Sequence, residues 1–332
     1  MTRLRRSSPT EAGWTRRRAG RGFTYLDSDG ARLARTDADR ARSLAIPPAW
    51  REVWICPHEN GHLQAVGTDR AGRRQYIYHQ AWQTRRDAEK FDRARALGRA
   101  LPKVRDHLAR DLAEPDLSAA RACALAVRLL DVGFFRIGSD TYTDEHGSFG
   151  LTTLERSHVR LGAGAATFSF NGKSDIEREV VVDDALCLAT IQKLRRRRGG
   201  FSEFLAFKDG RRWSRLGAAQ VNQYLGDVSG LEISAKDFRT WHGTVRAAVA
   251  LAGSEEAGDS KASRKRAVGA AMVEVGEFLG NTPTVARTSY VDPRVLDRFE
   301  EGRTVTVRRS AAGSPSVADQ QRIERSVLRL LA

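Results

Sequence analysis

The chain has 332 residues, 41% of them hydrophobic and 29% charged, with a formal net charge of +15. That length allows two domains with cores of their own, and no segment holds the roughly 18 consecutive apolar residues of a spanning helix. Such basicity points to a polyanionic partner, nucleic acid first.

The first 22 residues carry seven arginines and no apolar run after them, so they do not form a secretory signal. They are expected to be a partly disordered basic arm able to touch phosphates. Next comes Gly22–Leu33, two short alternating runs around Asp27-Ser-Asp-Gly30, which predicts a hairpin. A short helix is expected at 37–44, ended by Ile46-Pro-Pro48, followed by strands at 52–56 and 63–67. Residues 67–78 read as strand, glycine-rich turn and strand.

From His79 the pattern turns helical over 80–100, 102–113 and 118–131. A β-rich N-terminal domain over 1–91 and a mainly helical domain over 92–332 are therefore expected, an α+β organisation. The second domain holds one β island, with strands near 157–161, 166–170 and 178–182. Helices are expected at about 184–197, 215–228, 235–252, 262–279 and 317–331, with Ser234 and Asp237 set as a near capping box. Residues 311–316 read as a flexible connector, and Arg195–Arg198 as cations favoured at a helix end.

Metal chemistry finds little support in the pattern. The seven histidines form no HxH or HExxH, and Cys56, Cys123 and Cys187 are too far apart for a CxxC pair. They read as buried reduced thiols of a cytoplasmic protein. There is no GxxxxGK[ST] phosphate loop, so neither ATP nor any other cofactor is expected.

Three basic positions and one tyrosine remain. Arg136 lies among apolar residues and glycines in Gly133-Phe-Phe-Arg-Ile-Gly138. Lys173 follows an Asn171-Gly172 turn, and Arg239 lies in Lys236-Asp-Phe-Arg-Thr at the start of a helix. Tyr290 closes a short helix over 283–289, bracketed by Pro283 and by Asp292-Pro293. Each has a bland reading alone: a buried arginine, an exposed lysine, a packed tyrosine. Together they fit attack of a tyrosine oxygen on a phosphodiester. Planar guanidinium groups neutralise the phosphoryl oxygens, and a lysine ammonium protonates the departing alkoxide.

This order resembles the type IB DNA topoisomerases, in the small bacterial and poxvirus-like form. The matching stretches are Phe134–Gly138 with Tyr142, Phe170–Lys173, Lys236–Thr240, and Thr282 through Tyr290, in order along nearly the whole chain from residue 22. The resemblance implies Tyr290 as nucleophile, Arg136 and Arg239 on the scissile phosphate, and Lys173 as general acid. Many family members have histidine where this chain has Asn281, whose amide can donate the same hydrogen bond. It also implies a monomer that clamps double-stranded DNA, with Arg74, Gln75, Tyr76 and Tyr78 toward the groove. Two alternatives stay open: a tyrosine recombinase, which typically carries His-x-x-Arg at the second arginine and a helical DNA-binding domain, and a non-catalytic DNA-binding protein.

Overall fold

The structure, a computed structural model, describes residues 3–138, 147–172, 176–254, 260–306 and 317–332. It divides into two compact units, 1–89 and 90–332. Together they are a mixed α+β protein. Tyr142, Lys173 and the expected connector at 311–316 lie outside the described residues.

The first unit is built on a five-stranded antiparallel sheet. Its strands are β1 (Trp14–Ala19), β2 (Gly22–Leu26), β3 (Arg51–Ile55), β4 (Leu63–Thr68) and β5 (Arg74–Tyr78), in the order β2-β1-β3-β4-β5. Helix α1 (Arg35–Ser43) lays Ala38 and Ala41 into a core with Trp14, Tyr25, Val53 and Ile55.

Two expectations fail here. The arginine-rich arm is not disordered over its described part. β1 is an inner strand, with Trp14 buried and the Arg16 guanidinium donating to the Ile46 and Trp50 carbonyls at 2.9 and 3.0 Å. An aromatic anchor and an arginine with fixed acceptors outweigh a high local charge. The hairpin, too, forms one turn earlier. β2 pairs with β1 across Gly20 (φ +55°), and the Asp27 turn leaves only an isolated Leu26–Arg32 bridge. Arginine-heavy residues 16–18 hid the first strand.

The second unit surrounds one large apolar core. Helix α2 (Gln80–Ala113) runs unbroken through Pro102 where two helical segments were expected, so one i→i−4 hydrogen bond is absent. Helix α3 (Ala119–Gly133) is capped by the Ser118 hydroxyl, which accepts from the Arg121 N–H, and buries almost its full length. Strands β6 (Val159–Leu161), β7 (Ala166–Asn171) and β8 (Glu177–Val182) make the expected antiparallel island. Helix α4 (Ala185–Arg196) leads to a hairpin missed in the sequence, β9 (Ala206–Asp209) and β10 (Arg212–Arg215), turned at Gly210 (φ +58°).

Helices α5 (Ala218–Ser229), α6 (Ala235–Ala252) and α7 (Lys261–Leu279) follow. The Asp237 carboxylate accepts from the Ser234 N–H at 2.8 Å, the expected cap of α6. Trp241 of α6 is fully buried, and Gly98 of α2 makes room for it: a Cβ there would lie 2.5 Å from the indole. Two short helices, α8 (Pro283–Ser289) and α9 (Pro293–Glu300), each begin on a proline, and α10 (Val317–Leu330) ends the chain. Pro293 had read as a stop. At the first helical position its missing N–H costs nothing, so it starts α9.

Candidate active site

The site is assembled from segment ends. α3 stops at Phe134, which takes a left-handed conformation (φ +55°) and swings the chain into an extended run to Gly138. That run lies against residues 150–152: the Leu151 and Thr152 N–H groups donate to the Arg136 and Ile137 carbonyls, both at 2.8 Å. Glycines at 138 and 150 permit the approach, since a Cβ on Gly150 would meet the Gly138 Cα at 2.4 Å. Phe135 anchors the run beneath, its ring 5.2 Å from that of Phe168. Arg136 is thereby presented from a fixed backbone.

Arg239, on the second turn of α6, is buried at 4% exposure. Its Nη1 donates to the Phe134 carbonyl at 2.7 Å and its Nη2 to the Leu279 carbonyl at 2.6 Å. Both acceptors sit at helix C-terminal ends, where carbonyls are unpaired and the dipole favours a cation. Its Nε–H is buried and has no hydrogen-bond partner among the described residues.

α7 ends on Gly280 (φ +63°), the left-handed residue of a helix stop. The turn brings Asn281 beside Arg136: its Oδ1 accepts from Arg136 Nη2 at 2.8 Å, and its amide nitrogen makes a 3.4 Å contact with the Leu279 carbonyl. Then α8, capped by the Thr282 hydroxyl, carries the chain to Tyr290. Tyr290 is 8% exposed, and its hydroxyl receives a 3.4 Å contact from Arg136 Nη1. The Arg239 guanidinium lies 5.2 Å from the centre of its ring. Behind it, the Thr244 hydroxyl reaches the Tyr290 carbonyl at 3.2 Å and accepts from the Asp292 N–H at 3.1 Å.

The electrostatics follow from this crowding of cations. Burial, then the neighbouring charge of Arg136, push Arg239 down to about 10, so it stays charged at neutral pH. For Tyr290, burial favours the neutral phenol, but the charges of Arg239 and Arg136 prevail and lower its pKa below the ordinary tyrosine value. No carboxylate among the described residues pairs with Arg136 or Arg239. Such a pocket suits an anion.

A family model of the eukaryotic DNA topoisomerase I catalytic core matches residues 79–307. This chain belongs to the type IB DNA topoisomerases. A model of the bacterial DNA topoisomerase IB N-terminal domain matches residues 22–69. Similar proteins include the DNA topoisomerase 1B of Acanthamoeba polyphaga mimivirus, 28% identical over 87% of this chain and 88% of the relative. DNA topoisomerase I of Monkeypox virus and DNA topoisomerase 1B of Vaccinia virus are each 20% identical, over 71% of this chain and 72% of theirs. The enzyme is thus an ATP-independent DNA topoisomerase and not a recombinase or a passive DNA-binding protein. No helix among its described residues is long and apolar enough to cross a membrane.

In this topoisomerase Arg136, Arg239, Asn281 and Tyr290 come together; Lys173 and Tyr142 fall outside the described residues. The candidate DNA-contact residues divide between the faces of β5. Arg74, Tyr76 and Tyr78 share one face by strand alternation, with the two tyrosine rings stacked at 6.1 Å. Gln75 lies on the other, its amide donating to Asp69 at 2.9 Å. Sequence reasoning missed Thr244, Gly243 and Arg178. The first two lie one turn or so past Arg239 on α6, a spacing that places them near the same end of the helix. Arg178 stands in a polar alternating strand with no local mark.

Proposed function

We propose that Tyr290 is the nucleophile of strand cleavage by this topoisomerase. Its Oη attacks the scissile phosphorus, the bond to the 5′ oxygen breaks, and a 3′-phosphotyrosyl ester forms. The departing oxygen takes a proton from Lys173 as general acid, and the phenol proton passes to water. Arg136 and Arg239 hold the non-bridging oxygens and gain strength as charge builds on them in the transition state. Because the ester conserves the bond, the 5′ hydroxyl can reverse the step after the strand has rotated, with no nucleotide and no metal ion required.

The observation that carries this reading is the approach of Arg136 to the Tyr290 hydroxyl at 3.4 Å, across 154 positions of sequence, with Arg239 over the same ring. Supporting it is the lowered pKa of Tyr290, the direction a nucleophile without an adjacent base requires. Asn281 acts on the phosphate or through Arg136, whose guanidinium its Oδ1 holds. Tyr142, Arg74, Gln75, Tyr76 and Tyr78 contact the DNA, residues 1–91 forming a DNA-binding domain and 92–332 the catalytic one, in a monomer that clamps the duplex.

Detergent trapping of the covalent protein–DNA adduct tests this directly. Wild-type protein should relax supercoiled plasmid without ATP or magnesium and leave a trapped adduct, and Tyr290→Phe should do neither. An adduct of normal yield in Tyr290→Phe would place the nucleophile elsewhere.

A further inference from the structure

Among the described residues, a third guanidinium lines the same cavity as Arg136 and Arg239. Arg178, on β8, pairs with Phe170 of β7, so its side chain rises on the face of the island that borders the cavity. Its stem crosses Gly172, where a Cβ would lie 3.1 Å from the Arg178 Cγ. Its tip ends over Gly280, where a Cβ would lie 2.3 Å from Nη1. Residues 172 and 280 are thus kept bare by one side chain that reaches from the β island to the turn before Asn281.

Arg178 makes no hydrogen bond or ion pair with any described residue. It is half-buried, and burial together with the charge of Arg136 lowers its pKa. A cation held among other cations, desolvated and without an acceptor, costs free energy in the free protein. A structural role would be met as well by an uncharged side chain of the same length. An incoming anion would supply the acceptor that the charge lacks.

We propose that Arg178 is a phosphate-binding residue of the active site, contacting the DNA backbone at the same cavity as Arg136 and Arg239. The inference rests on the assignment of this cavity to the cleavage reaction. A guanidinium offers forked donors to phosphate oxygens that lysine cannot match, so charge alone should restore only part of the function.

The test compares Arg178→Ala, Arg178→Met and Arg178→Lys in two measurements. Single-turnover adduct formation on a nicked duplex should fall tenfold or more in the Ala and Met variants and recover partly in Lys. Duplex affinity across a salt series, measured in a Tyr290→Phe background so that no bond is cut, should show a slope shallower by about one ion in Ala and Met. Met keeps the length of the stem without the charge. Recovery of cleavage and slope in Arg178→Met would reduce Arg178 to packing and overturn the inference, as would wild-type behaviour of Arg178→Ala. Wild-type protein that forms no adduct would instead overturn the reading of the cavity, and the inference with it.

Discussion

The phenol of Tyr290 stands between influences of opposite sign. Burial holds its proton on, and the charges of Arg239 and Arg136 release it. Since the charges prevail, the phenolate should form at lower pH than in an ordinary tyrosine, whose pKa is 10.0. Ultraviolet difference titration of wild type against Tyr290→Phe should show a midpoint below that value, shifted upward when Arg136 is changed to Ala. A midpoint at or above the ordinary value would refute the charge balance. Asn281→Ala should slow single-turnover cleavage by about tenfold to a few hundredfold, the range of a lost transition-state donor. Asn281→Asp should be slower still, because a carboxylate in place of the Oδ1 that lies 2.8 Å from Arg136 would cancel its charge. Equal rates for the two variants would count against contact with Arg136.

Elements hold these residues through a buried ionic network and one close backbone contact. Asp131 of α3 accepts from Arg105 Nε of α2 at 2.8 Å, Arg128 Nη1 at 2.8 Å and His242 Nε2 of α6 at 3.1 Å. Arg105 also donates to Glu324 of α10 at 2.7 Å, and Arg128 to Asp184 at the start of α4. Asp131, His242 and Glu324 bring one ligand atom each within 4.8 Å of one another, yet both carboxylates are already paired with Arg105. Burial opposes ionisation of Asp131, but its cationic partners hold the carboxyl well below the usual range. Its contribution to stability is therefore full above the ordinary carboxylate pKa and is lost only as pH falls toward the depressed one. Asp131→Ala should destabilise the larger unit by about 3–5 kcal/mol, since it removes the acceptor that Arg105, Arg128 and His242 share and leaves the buried guanidinium charges only partly compensated; a melting temperature equal to wild type would refute this. Gly243→Ala probes the other contact. Its Cβ would fall 2.9 Å from the Tyr290 carbonyl and 3.1 Å from the Tyr290 Cβ. It should reduce adduct formation by roughly tenfold to a hundredfold while leaving the melting profile near wild type, the mark of a displaced nucleophile. Unchanged cleavage would mean that the two helices shift freely.

For the whole molecule, the excess of +15 charges should make duplex binding fall steeply with salt, with a slope near −0.9 per phosphate contacted. A flat salt series would be inconsistent with backbone contacts. Most helices were legible in the sequence because their apolar spacing, Ser or Asp caps and terminal glycines agree, as at α6 and α7. The site was legible through residue order, Arg136, Arg239 and Tyr290 being set in recognisable surroundings. β1 was not, because Arg16, whose partners are the backbone carbonyls of Ile46, Pro47 and Trp50, looks solvated in one dimension. Arg178 was not, because what singles it out is an empty Cβ position at Gly280, a hundred residues along the chain. α9 was not, because a proline that ends one element and begins the next carries the same letter.

All three thiols are free and buried, Cys56 in the smaller unit and Cys123 and Cys187 in the larger. Burial, and then nearby Asp111, push Cys123 up to about 12, and burial raises Cys187 well above the ordinary thiol value. Closed, all three are shielded from an alkylating reagent by burial, and Cys123 and Cys187 are also held as thiols, whereas the nucleophile is the thiolate. Labelling must wait for each fold to open, so mass spectrometry of the three sites over time would time the two units separately. An unmodified enzyme carries its own pair of clocks for how often each half comes apart.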